Sequence, residues 1–155
     1  MNPNVDVLLK VQSLEQEIIR LEKARATIPG RLAAAEKEVQ AARDRYDAAG
    51  KEQKSFRGEI DRREREVKEF EDKIGKYQGQ LNSVKTNKEY AALRQEISGV
   101  EADKRKIEDE ILGFMTKGDD LVKELESLKK LLAGAEQRLA GQREAAEKED
   151  RKSVV

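Results

Sequence analysis

The sequence predicts an all-α protein, a long antiparallel two-helix coiled-coil hairpin with a kink near Pro29. Its apolar residues recur at alternating spacings of three and four, first from Val7 to Val84 and then from Tyr90 to Ala146. This spacing is typical of coiled coils. The step between Val84 and Tyr90 is six residues, which fits neither spacing. One long helix, a turn and a second long helix is the simplest structure with this pattern.

The composition supports the same fold class. Of the 155 residues, 41% are charged and only 4% aromatic, which is poor in apolar side chains for a compact globule, while their regular spacing argues against disorder. The 32 basic and 32 acidic residues cancel, so net charge alone indicates neither a nucleic acid nor a membrane as partner. The chain lacks a long apolar run and a signal peptide, so we expect a cytoplasmic protein without membrane contact.

The chain is interpreted as a single hairpin over residues 1–155, with arm one at about 4–82, the turn at about 83–86 and arm two at about 87–150. Proline inside a helix removes a hydrogen bond and clashes with the preceding turn, so Pro29 should disturb arm one. The heptad phase nevertheless continues from Ile28 to Leu32. We therefore predict a kink at Pro29 and not a loop.

The turn has its own signals. Thr86 is followed three residues later by Glu89, which matches the capping box. Thr86 should cap the second helix, and the Glu89 side chain should reach back to the backbone amide of Thr86. Asn82 and Ser83 favour the end of the first helix.

Side-chain size predicts how the two arms face each other. If Val84 faces Tyr90, the numbers of all facing residues add to 174. A large residue then faces a small one in four layers, as dense packing requires. These pairs are Phe56 with Gly118, Ala49 with Leu125, Ala42 with Leu132 and Ala35 with Leu139. On this reading Gly118→Leu should overpack its layer.

Some heptad positions do not fit an apolar interior. Arg25, Gln53, Arg63 and Lys104 are polar, and we expect them either to extend toward water or to fix the register. The opposite problem occurs at the start of arm one, where four apolar residues have no facing residue in this register. They are Val7, Val11, Leu14 and Ile18, here called the N-terminal stripe. Such a stripe implies a continuation of the chain, a protein partner or self-association through the N-terminal segment.

Catalytic chemistry finds little support. The chain has no histidine and no cysteine, which removes the commonest general base, the thiol nucleophile and the usual zinc ligands. We expect no enzyme, no catalytic residue and no metal or cofactor site within this chain.

Basic residues surround the predicted turn and could contact phosphates, with Tyr77 and Tyr90 available for stacking. They are Lys76, Lys85, Lys88 and Arg94. The alternative is an ordinary solvated face, because both tyrosines occupy core heptad positions and acidic residues are interleaved with the basic ones.

The segment QLNSVKTNKEYAALRQEI, residues 80–97, resembles the hairpin-turn signature of bacterial proteins with an N-terminal coiled coil and a C-terminal C4-type zinc ribbon. Their pattern is close to Q-L-x-x-V-x-T-N-K-E-Y-x-A-L-x-x-E-I. Ile28-Pro29 followed by Leu32 also agrees, and the resemblance covers essentially the whole chain. The signature positions present here are Thr86, Asn87, Lys88, Glu89, Tyr90 and Leu93.

The resemblance carries functional expectations. Members are expected to continue into a ribbon with two CxxC pairs, so zinc is expected only if such a ribbon follows this chain. It implies a coiled-coil adaptor or chaperone-like scaffold that binds proteins, linked to flagellar biogenesis or sigma-factor regulation. The alternative is a nucleic-acid-binding protein whose main binding module is the ribbon.

Overall fold

The computed structural model describes residues 2–154, and almost all of them are helical. Helix α1 spans Pro3–Leu81 and helix α2 spans Asn87–Val154, joined by a turn at residues 82–86. The chain divides into two compact units. Unit 1 comprises Met1–Tyr46 and Leu128–Val155, and unit 2 comprises Asp47–Ser127. In each unit the α1 and α2 segments pack side by side in opposite directions, which confirms the predicted all-α coiled-coil hairpin.

Burial follows the heptad pattern along both helices. Every heptad position is buried or half-buried from Ile28 to Leu81 on α1 and from Leu93 to Ala146 on α2, and Val84 in the turn is half-buried as well. These positions form the seam, the row through which the two helices face each other. Tyr90 is an exception to the prediction, because 45% of it is exposed. Its expected facing residue, Val84, lies in the turn and not in α1, so no helix covers the ring.

The seam of unit 1 is its most tightly packed part. Ala135 is 0% exposed, and small residues on α1 lie in the same cluster as leucines on α2. The cluster comprises Ala35, Val39, Ala42, Ala135 and Leu139, with Leu32 and Leu132 packed against it. It unites both members of two predicted layers, Ala35 with Leu139 and Ala42 with Leu132, as the size-matched register requires.

Ion pairs along the edge of this seam agree with the predicted register of the two helices. The Arg43 guanidinium lies 3.3 Å from the Glu136 carboxylate, and Arg138 pairs with Glu38. The numbers in these pairs add to 179 and 176, close to the predicted 174 and less than one heptad away from it. Exposed pairs of this kind contribute little to stability individually. Their value here is as markers of which residues face each other.

Helix α1 continues through Pro29 without interruption. The proline has no amide proton to donate to the carbonyl of Arg25, so one helical hydrogen bond is lost there. The Thr27 hydroxyl donates to the carbonyl of Ala24 at 2.6 Å just before it. The unbroken heptad phase predicts a helix and not a loop at Pro29, and the structure has a helix there.

The first helix has a regular N-terminus. The Asn2 side-chain oxygen accepts from the backbone amide of Asn4 at 3.2 Å, and the Asn2 carbonyl accepts from Val5 at 3.0 Å. Pro3 follows at the first helical position, where its missing amide proton costs nothing. Asp6 lies in the first turn, where a negative charge favours the helix dipole.

The start of α2 is capped on one side. The Glu89 amide donates to the Thr86 hydroxyl at 3.2 Å, and the Tyr90 amide donates to the Thr86 carbonyl at 3.1 Å, so the predicted cap is confirmed. The predicted return bond from the Glu89 side chain to the Thr86 amide is wrong, since none forms among residues 2–154. The Glu89 side chain is exposed, so water can solvate it instead.

Thr86→Ala should lower the free energy of unfolding by about 1 kcal/mol, because one amide at the start of α2 loses its acceptor. Thr116→Ala is the matched control. That hydroxyl donates to the Leu112 carbonyl inside α2, where alanine is the better helix former. Urea denaturation midpoints measure both changes. Equal midpoints for the two variants would mean that the cap contributes nothing.

Candidate interaction surfaces

Arg63 occupies a core position of the unit 2 seam and is fully paired. Its Nε donates to a Glu110 carboxylate oxygen of α2 at 2.7 Å, and it also pairs with Glu59 one turn earlier on α1. The guanidinium lies 4.5 Å from the ring centroid of Phe114, a favourable cation–π geometry. The residue therefore joins α1 to α2 instead of extending into water, which favours the register-fixing expectation.

Lys104 repeats this arrangement from the other helix. Its ammonium lies 3.2 Å from Glu71 on α1 and 3.5 Å from Glu108 on α2. The hydrogen bond to Glu71 is the main cause that raises the pKa of Lys104 above its ordinary value. Two polar core residues of unit 2 thus each bridge the seam to a carboxylate on the opposite helix.

Acid should weaken unit 2 through Glu59. The hydrogen bond from Arg63 lowers the pKa of Glu59 below its ordinary value of 4.5. Because the pKa of Glu59 is lower in the folded than in the unfolded state, its ionised form stabilises the fold at pH values above the unfolded-state pKa. This stabilisation is lost as the pH falls through the folded-state pKa. We expect the urea midpoint to fall on acidification, and Glu59→Gln to remove part of that fall.

Glu64→Gln is the control for this pH series, because Glu64 is an exposed glutamate on the same helix. Its pH profile should follow that of the unmodified chain. Identical profiles for the Glu59 and Glu64 variants would contradict a role for the Arg63 pair in acid stability.

The layer around Gly118 differs from the size-matching prediction. Phe56 and Gly118 line one groove, but a Cβ atom added at Gly118 would meet nothing within 4 Å. The Phe56 ring instead packs against Phe114 in the neighbouring layer, with centroids 5.8 Å apart. A tilted aromatic pair is favourable beyond its burial, which explains the choice. The Cβ position of Gly118 is therefore open, and overpacking by the longer leucine side chain stays a prediction.

Gly118→Ala should instead stabilise the protein by about 0.5–1 kcal/mol, because glycine in a helix interior loses more backbone entropy on folding than alanine. Gly113→Ala, another α2 glycine with open space at Cβ, is the control and should give a similar gain. Thermal or urea unfolding measures both. A loss of stability confined to the Gly118 variant would show that the layer is closed after all.

The surface around the turn lies in unit 2 and is largely open to solvent. Its basic side chains are all exposed, namely Lys76, Lys85, Lys88 and Arg94. The Arg94 guanidinium lies 6.0 Å from the centroid of the exposed Tyr90 ring. Tyr77 is half-buried in the seam, as expected. Of the four predicted phosphate-contact residues, Arg94 thus contacts the Tyr90 ring, whereas the three lysines do not contact one another.

Two further residues of the turn signature lie in α2. Asn87 is the first residue of α2, and Leu93, six residues later, is half-buried in the seam. Exposure of Tyr90 was missed at the sequence level because its heptad position resembled those of the seam. The usable signal was its place in the first turn of α2, beyond the last residue of α1.

The N-terminal stripe lies in unit 1 and is exposed as its lack of a facing residue implies. Val7, Val11, Leu14 and Ile18 are each between 44% and 59% exposed. Glu149 and Lys152 of α2 share a groove with Ile18. The stripe continues the seam of α1 beyond the level that α2 covers.

A second apolar row was not predicted. Beside the seam of α2 in unit 2, three large side chains at spacings of three and seven residues are exposed, and we call them the α2 row. They are Leu112, Met115 and Val122. They lie outside the seam positions, and only a search for a second helical periodicity on α2 would have found them.

Within residues 2–154, no three His, Cys, Asp or Glu side chains come together in a way that could hold a metal ion. Over the same part of the chain, neither helix has a stretch apolar enough to cross a bilayer.

These features define a coiled-coil hairpin domain with exposed apolar rows. Residues 11–153 match the CT398-like coiled coil hairpin domain, and the chain belongs to that family. The 2.12 Å structure of CT398 from Chlamydia trachomatis is similar, with a TM-score of 0.76 and 25% identity. The match covers 94% of this chain and 63% of that chain. No curated protein matches the sequence. The coiled-coil part of the predicted resemblance is confirmed, and the zinc ribbon stays an expectation.

Proposed function

We propose that this chain is a non-enzymatic coiled-coil adaptor or chaperone-like scaffold that binds protein partners. The observation that carries the proposal is the α2 row, three large apolar side chains that stay exposed although the seam positions of α2 from Leu93 to Ala146 are buried or half-buried. Contiguous exposed apolar side chains with charged neighbours are typical of protein interaction sites. A partner helix with an apolar face could lie along the row.

The process served is the finer part of the proposal. The turn-signature resemblance points to flagellar biogenesis or sigma-factor regulation. The resemblance also suits partner binding by a protein with further segments, because the match covers only 63% of the solved relative's chain.

A partner should be captured through the α2 row. Leu112→Ser with Met115→Ser should abolish binding of a captured protein, which is then purified and titrated by calorimetry against both forms. Leu131→Ser is the matched control, because Leu131 is an exposed α2 leucine in unit 1. Equal affinity of the partner for the unmodified chain and the double variant would contradict the proposed surface.

Nucleic-acid binding is the second candidate, and the exposed Tyr90 with Arg94 against its ring favours it. Such a pair offers a stacking face and a charge to a single strand. Fluorescence anisotropy with a labelled single-stranded RNA at 50 and 200 mM salt tests it. Steeply salt-dependent binding that Lys85→Glu with Lys88→Glu removes would support this candidate, and no binding at 50 mM salt would exclude it for this chain.

A further inference from the structure

The N-terminal stripe has the periodicity of a seam, but its four side chains are exposed and only Ile18 shares a groove with α2. Its spacings of four, three and four residues continue those of the covered positions from Ile28 onward. The stripe differs from the α2 row in this respect, because its phase is already suited to a second helix of coiled-coil type. Whatever covers it should therefore be another helix with the same periodicity.

We propose that the stripe pairs with the stripe of a second copy of this chain in antiparallel orientation. Val7 then faces the partner's Ile18, and Val11 faces the partner's Leu14. The two-fold symmetry repeats both contacts, so four consecutive layers are apolar on both sides. A shift of one heptad toward the N-terminus leaves only two apolar layers, since Asn4 then enters the row. The opposite shift keeps four, Val11 with Leu21 and Leu14 with Ile18, but it sets Glu17 beside the partner's Glu17, a like-charged contact.

Charges beside the stripe agree with this orientation. In unit 1, Glu38 and Arg138 each precede a core residue of the seam and pair across it. Lys10 and Glu17 hold the equivalent places, each directly before a stripe residue. The same geometry sets Lys10 beside the partner's Glu17, and symmetry makes this pair twice.

A parallel dimer has poorer charge pairing. It would set Lys10 beside the partner's Glu15 but Glu17 beside the partner's Glu22, which gives two like-charged contacts for two favourable ones. The antiparallel arrangement has a single like-charged contact, between the two copies of Glu15 near the symmetry axis. Charge complementarity therefore favours the antiparallel dimer.

The second copy also fits against α2. In the proposed register the partner's Pro3 faces Glu22, and Glu22 shares a groove with Lys152 of α2. The incoming helix therefore meets α2 at Lys152 and overlaps with it by about one helical turn. The last turn of α2 must move aside, as helix ends readily do.

The contact is small. Two short helical segments bury much less than the roughly 1,600 Å² of a standard protein–protein interface, so we expect a weak, reversible dimer. Sedimentation at chain concentrations from about 1 µM to about 1 mM should show the monomer convert to the dimer. Substitutions in the stripe should raise the concentration at which this occurs.

A matched pair of leucines separates the stripe from general hydrophobicity. Leu14 is 59% exposed and belongs to the stripe, whereas Leu9 is 58% exposed and lies on the opposite side of α1. Leu14→Ser should weaken dimerisation about tenfold or more, because two buried side chains are lost per dimer. Leu9→Ser should leave it unchanged. Equal effects, or a chain that stays monomeric at 1 mM, would overturn the proposal.

Orientation can be read by cross-linking, because the natural chain has no cysteine. A mixture of isotopically labelled Val11→Cys chain and unlabelled Leu14→Cys chain should form the mixed disulfide preferentially. Lys10→Glu should weaken dimerisation, and adding Glu17→Lys should restore it. Preferential Leu14-to-Leu14 disulfides would overturn the antiparallel orientation. Strong amide protection at residues 7–18 in a monomer would show that this chain covers its own stripe, which also overturns the proposal.

Discussion

Ala135→Asp should lower the free energy of unfolding by about 3–5 kcal/mol, the largest effect expected for any single substitution considered in this chain. Ala135 is 0% exposed and belongs to the cluster that holds α1 and α2 together in unit 1. A carboxylate there would lose its hydration without gaining a cationic partner, and its extra volume would force the helices apart.

Ala133→Asp is the control, because Ala133 is exposed on the same helix two residues earlier. It should cost only about 0.5 kcal/mol, from the lower helix propensity of aspartate. Helical circular dichroism during urea denaturation measures both variants. If Ala135→Asp unfolded no earlier than Ala133→Asp, the unit 1 seam would not be the close contact described above.

Leu128→Ala should cost about 2–4 kcal/mol, because it removes buried methyl groups and leaves a cavity between two helices that cannot fully close it. Leu128 is 4% exposed, whereas Leu131, one turn later on α2, is 47% exposed. Leu131→Ala should therefore cost less than about 1 kcal/mol. Urea midpoints of the two variants, with the slope checked for a common denatured state, give the comparison. A Leu131 variant as unstable as the Leu128 variant would mean that the outer face of α2 is covered in solution.

Much of the fold could be predicted from heptad phase alone. A seam residue is defined by its spacing from its neighbours, and spacing is a local property of the sequence, so the positions from Ile28 to Val84 were identified correctly. The cap at Thr86 is equally local, because its acceptor and donor lie three residues apart. Size matching extended this reasoning across the hairpin and placed Ala42 and Leu132 in one cluster.

The errors arose where one position depends on distant parts of the chain. Tyr90 has the spacing of a seam residue, but its exposure is decided by where α1 ends. Gly118 faces a large residue on paper, yet the Phe56 ring had a better contact with Phe114 in the next layer. Size matching treats each layer separately, whereas aromatic rings extend across layers.

The candidate surfaces were predicted unevenly for a related reason. The N-terminal stripe was found because its heptad positions lack a facing residue, which is a property of the register. The α2 row was missed because attention to the seam does not reveal a second apolar face on the same helix. The turn surface was named correctly by residue, but which of its side chains meet depends on rotamers, and only Arg94 and Tyr90 do so.

Arg63 and Lys104 have a mechanical consequence for unit 2. If α2 slid along α1 by one heptad so as to shorten the turn, these two cations would enter the same layer of the seam. Each would also leave its acceptor on the opposite helix about 10 Å behind. Sliding is thus opposed by repulsion between the two cations and by the loss of their ion pairs with Glu110 and Glu71. Unit 2 therefore resists displacement of α2 along α1 in this direction.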